Sequence, residues 1–77
     1  MNDLYKALKA LEVRLIDANS EVSLSIPLDW LYKAIVYEVP VNLRLVPFLQ
    51  EKLLIIEPEF RAELHGLIDD AKRLVQS

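Results

Sequence analysis

The chain has 77 residues, a formal net charge of −3 and no cysteine, and 53% of its residues are apolar. This length is typical of one small domain, residues 1–77, and the absence of cysteine excludes a disulfide framework and a cysteine-ligated zinc site. The single histidine excludes a multi-histidine metal site within one chain, and the interspersed charges do not favour binding to nucleic acid.

The distribution of hydrophobic and charged residues also bears on the cellular location of the chain. No apolar run reaches the roughly 18–20 residues of a membrane span. The first sixteen residues carry charges throughout, so they do not resemble a secretory signal. We therefore expect a cytoplasmic domain without a membrane span.

Residues 3–18 have the pattern of an amphipathic helix. Apolar residues recur with the spacing 4-3-4-3, which forms one stripe along a helix. The stripe consists of Leu4, Leu8, Leu11, Leu15 and Ala18. The helix is expected to end at Asn19-Ser20, because asparagine tolerates the left-handed conformation that follows many helices.

Two later segments alternate between apolar and polar residues, which is the period of a β-strand. They are residues 21–26 and residues 37–45. The two could pair as a short β-ribbon, with Pro40 confining the second segment to an edge. Our preferred interpretation of residues 21–26 is an extended loop that packs Val22, Leu24 and Ile26 against a helical core.

A second helix is expected from Pro27 to just before Pro40. Proline suits the first turn of a helix, whereas the residue before a proline resists the helical conformation. Leu28, Leu31, Ile35 and Val39 would share one face. Trp30 is expected to anchor the core, with a place on a partner-binding surface as the alternative.

The stretch from Leu43 to Ile56 is the most apolar of the chain, and we expect it to be the central buried element. A helix beginning well before Pro47 would place a proline in its interior, at a cost of about 3 kcal/mol. The predicted helix therefore starts at or just before Pro47 and ends at Ile56, with Leu43 and Leu45 on an extended lead-in. Leu49, Leu53 and Ile56 are expected to face inward, with Phe48 and Leu54 widening that stripe.

Glu57-Pro58-Glu59 has the composition of a helix start, with proline in the first turn and acidic residues beside the positive helix end. The 4-3-4-3 spacing of the first helix then recurs. It is formed by Phe60, Leu64, Leu67, Ala71 and Leu74. The first and last helices could therefore pack on each other or on copies of themselves.

The sequence contains no recognisable catalytic, nucleotide or metal motif, and we expect no cofactor. His65 lies one helical turn before Asp69, but no nucleophile accompanies the pair, so a surface histidine is the preferred interpretation. Gly66 is expected to lie inside the last helix, on the side opposite its leucines. It is either a tolerated exposed glycine or a point of close contact with another molecule.

These patterns predict a mostly α fold, a bundle of three to four helices, with α+β as the alternative if the ribbon forms. One small bundle has difficulty hiding so many apolar residues, which favours a non-enzymatic, regulatory protein-binding module that forms a homodimer or larger assembly. The predicted interface residues are Tyr37, Val41, Leu43, Leu45 and Phe48. The alternatives are a dimeric DNA-associated transcriptional regulator and a non-catalytic subunit of a larger enzyme or complex.

Overall fold

The computed structural model describes residues 1–76 and contains four α-helices. They are α1, Asn2–Asp17; α2, Ser25–Tyr37; α3, Leu45–Ile55; and α4, Pro58–Gln76. No strand is present in this part of the chain. The prediction of a mostly helical bundle is confirmed, with four helices.

Each helix packs against its neighbours in the sequence, and α4 also packs against α1, so the four helices form a closed ring. The apolar faces meet in one core, dominated by leucine. Its fully buried leucines are Leu8, Leu11, Leu15, Leu24, Leu31, Leu45, Leu49 and Leu64. The stripes predicted for the first and last helices supply much of this core, and these two helices pack on each other.

The end of α1 has the predicted left-handed residue. Asn19 has a φ of 57°. The backbone N–H of Asn19 donates to the carbonyl of Ile16, and the N–H of Ser20 donates to the carbonyl of Leu15. This pair of bonds is a Schellman motif, which satisfies carbonyls that the helix end would otherwise leave unpaired.

The possible β-ribbon does not form in the described residues, because side chains take the backbone hydrogen bonds that a ladder would need. Leu24 N–H donates to Oε2 of Glu12 at 2.7 Å, and the next residue already begins α2. In the second segment, Glu38 adopts a left-handed conformation with φ of 54°. Asn42 then accepts a hydrogen bond from the backbone N–H of Arg44 through its side-chain oxygen and turns the chain into α3. The loop interpretation of residues 21–26 holds for residues 21–24, where Val22 and Leu24 are buried as predicted. It is wrong for Ile26, which belongs to α2 and is 51% exposed.

The start of α3 also differs from the prediction. Leu45 is not on an extended lead-in but is the first residue of the helix and is fully buried. Pro47 is therefore the third helical residue, where its missing N–H has no partner to lose. This register directs Leu54 outward, with 79% of its surface exposed, although the sequence predicted that it would widen the buried stripe.

Gly66 lies within α4 on the exposed side of the helix, and a Cβ atom built on it would meet no atom within 4 Å. Because glycine costs helical stability through its backbone entropy, Gly66→Ala should raise the free energy of unfolding by about 0.5–1 kcal/mol. Urea denaturation would measure the change. Ala62→Gly, one turn earlier and also exposed, is the matched control and should lower stability by a similar amount.

A loss of stability or a change of molecular mass in Gly66→Ala would contradict this prediction. Either result would mean that another molecule packs closely against Gly66.

Candidate protein-interaction surface

Several large apolar side chains remain exposed to solvent in residues 1–76. Eleven of them have exposed fractions between 45% and 79%. They are Met1, Val13, Ile16, Ile26, Tyr32, Val36, Tyr37, Val39, Leu43, Leu54 and Ile55. Most belong to α2, to the connection between α2 and α3, or to the end of α3. The exposed apolar surface is thus concentrated on one half of the ring.

The five predicted interface residues have different environments. Tyr37, the last residue of α2, and Leu43 are 67% and 78% exposed. Val41 and Phe48 are half-buried, and Val41 packs against the core. Leu45 is fully buried within the protomer, so its side chain cannot contact a partner directly.

Two of these residues meet at one end of the bundle. Val41 and Leu43 line a hollow of about 280 Å³ together with Met1, Pro40, Leu74 and Val75. The connection between α2 and α3 thus lies beside both ends of the described chain. This hollow is lined mainly by apolar side chains.

Phe48 belongs to a second concavity, between α2 and α3, which we call the α2–α3 cleft. The cleft has a volume of about 420 Å³ and is lined by Ile26, Trp30, Arg44, Pro47, Phe48 and Glu51. The rings of Trp30 and Phe48 meet edge to face, with centroids 5.5 Å apart and planes at 82°. Lys52 Nζ lies 5.0 Å from the centroid of the Phe48 ring. Phe48 therefore contacts both a tryptophan ring and a cation. These contacts fix the orientation of the Phe48 ring, which forms one side of the cleft.

The sequence did not identify the outer face of α3 as part of this surface. Arg44, Pro47, Glu51 and Leu54 are spaced 3-4-3, so they share one face of a helix. All four are exposed. The sequence prediction began this helix at or just before Pro47 and so left Arg44 outside it. In the structure, α3 begins at Leu45 with Arg44 as its N-cap, which places Arg44 and Pro47 on the same helical face as Glu51.

Some of the remaining polar groups connect different helices, and others pair within one helix. Arg14 of α1 pairs with Glu63 of α4. Ser20 Oγ donates to Glu57 Oε1 at 2.7 Å and so connects the end of α1 to the turn before α4. His65 Nδ1 lies 3.8 Å from Asp69 Oδ2, and both side chains are exposed.

Within residues 1–76, no group of three or more histidine, aspartate or glutamate side chains could hold a metal ion. None of the helices described there combines the length and the apolar character that crossing a membrane requires. Comparisons of the chain with protein-family models, with curated proteins and with solved structures found no match.

Proposed function

We propose that the chain is a small non-enzymatic, regulatory module that binds protein and associates with itself. The observation that carries this proposal is the concentration of exposed apolar side chains on α2, the following connection and α3. Single exposed apolar residues are normal on soluble proteins, whereas adjoining ones indicate a contact surface. The lack of cysteine fits a reducing compartment, and we propose the cytoplasm.

The aromatic residues support a protein partner. Tyrosine, tryptophan and phenylalanine are enriched in protein interfaces because they supply a large contact area with little loss of side-chain entropy. Trp30 and Phe48 are half-buried, and Tyr37 is mostly exposed. These three residues therefore retain surface that a partner could cover.

Light scattering on a sizing column tests the proposal directly. Its masses should exceed the 8.9 kDa of one chain and rise towards a fixed multiple over a roughly hundredfold increase in protein concentration. A mass of one chain at every concentration would contradict self-association.

Leu54→Asp should weaken the assembly by about tenfold or more, because it places a charge in a contact that excludes water. The measurement is the concentration at which half of the chains are associated. Ile16→Asp is a close control. Ile16 is the second-to-last residue of α1, as Leu54 is of α3, and is 65% exposed. It lines the hollow between α1 and α2 and is not among the residues of the α2–α3 cleft, so its replacement should leave the assembly intact. Equal weakening by both changes would contradict the assignment of the contact to α3.

A further inference from the structure

Two opposite charges border the α2–α3 cleft without a partner of their own. Arg44 and Glu51 both line it, and neither side chain makes an ion pair or hydrogen bond within residues 1–76. Other charged groups nearby are engaged, since Lys33 pairs with Asp29 at 3.0 Å and Lys52 covers the Phe48 ring. The cleft therefore offers one free cation and one free anion on an apolar surface.

The spacing of these charges suits a second copy of the same helix. Residues 44 and 51 are two turns apart, roughly 10 Å along the axis, and lie on nearly the same face. If two α3 helices meet antiparallel about a two-fold axis, each Arg44 lies opposite the other copy's Glu51. The axis would pass between Pro47 and Phe48, which is the middle of the cleft.

An exposed leucine extends the same face of α3. Leu54 is 79% exposed and follows Arg44, Pro47 and Glu51 along the helix, whereas Leu43 precedes the helix and lines the separate hollow beside Met1. An antiparallel arrangement therefore brings each Leu54 towards the start of the other copy's α3. The reciprocal charge pairs are thus flanked by an exposed leucine at each end of the α3–α3 contact.

The size of the contact requires α2 as well. α3 has 11 residues, so it is about 16 Å long, and one pair of such helices buries less than the roughly 800 Å² per partner of a standard interface. Ile26 and Trp30 form the α2 side of the same cleft. Their inclusion extends the contact across both helices.

From this geometry we propose an isologous homodimer in which the α2–α3 clefts of two copies face each other, with two reciprocal Arg44–Glu51 ion pairs. The inference rests on the proposed self-association and specifies its surface, its symmetry and its stoichiometry of two.

Charge reversal tests the pairing. In Arg44→Glu, the introduced carboxylate faces the other copy's Glu51, and in Glu51→Arg, the introduced guanidinium faces the other copy's Arg44. Each variant alone should bind itself about a hundredfold more weakly, because like charges oppose each other twice. An equimolar mixture of the two should form a heterodimer, and the double variant should regain the homodimer. Lys6→Glu and Asp17→Arg are matched charge reversals on the exposed side of α1 and should leave the dimer intact.

Trp30 supplies an independent readout, since it is the only tryptophan and lies in the cleft. Its fluorescence should shift to shorter wavelength as the wild-type chain dimerises. A dimer that persists in both single variants, with constant Trp30 emission, would overturn this inference while leaving self-association in place. A wild-type chain that stays monomeric would overturn both. Circular dichroism would verify that each variant is folded, and the mixing experiment succeeds only with folded variants.

Discussion

Replacing Leu45 with alanine should lower the free energy of unfolding by about 3 kcal/mol, because it removes a fully buried side chain and leaves a cavity. A domain of this length has a total stability of about 4–12 kcal/mol, so the loss would be a large share of it. Urea denaturation followed by circular dichroism would measure the change. The lowest practical protein concentration should be used, because association adds a concentration-dependent contribution.

Leu43→Ala is the matched control for this prediction. Leu43 is the same residue type two positions earlier, but it is largely exposed, so its removal should cost less than about 0.5 kcal/mol in the monomer. Its effect should appear in self-association instead. Equal losses of monomer stability in the two variants would contradict the assignment of Leu45 to the core and Leu43 to the surface.

Glu12→Ala should lower the free energy of unfolding by about 2–3 kcal/mol. Glu12 is 6% exposed, and its Oε2 accepts hydrogen bonds from the backbone N–H of Leu24 at 2.7 Å and from Ser23 Oγ at 3.4 Å. Removing the carboxylate would leave the buried N–H of Leu24 without this acceptor, and such a loss exceeds the net value of the bond itself. Urea denaturation measures this loss as well.

Two variants separate the role of the hydrogen bond from that of the charge. Glu12→Gln retains an oxygen that can accept from Leu24, so it should cost only about 1 kcal/mol. Ser23→Ala removes the longer, part-buried contact from an exposed residue and should cost less than about 0.5 kcal/mol. A loss in Glu12→Ala no greater than that in Ser23→Ala would contradict a structural role for the carboxylate.

The position of Glu12 connects local structure to the candidate interaction surface. Its hydrogen bond holds the residue that precedes α2, so it helps to determine where that helix begins. The start of α2 in turn positions Ile26 and Trp30 in the α2–α3 cleft. We therefore expect Glu12→Ala to weaken self-association as well, although Glu12 lies outside the proposed contact.

Local sequence patterns are enough to predict the helices whose two faces differ clearly in polarity. α1 and α4 each carry one leucine stripe on an otherwise polar helix, so their period identifies both the element and its buried side. Pro58 and Asn19 also marked a helix start and a helix end through conformational preferences that act locally. These features are predictable because each depends only on residues close to it in the sequence.

The orientation of α3 and the conformation of the loops beside α2 depend instead on contacts between helices. Apolar residues occur on several sides of α3, so periodicity alone does not determine whether Leu45 or Leu54 is buried. That choice depends on packing against α4 and α2. The strand-like alternation of residues 21–26 was likewise overridden by an acceptor from the preceding helix, Glu12. The cleft residues come together only when α3 has this register and α2 begins at Ser25. Local sequence patterns therefore do not predict the cleft.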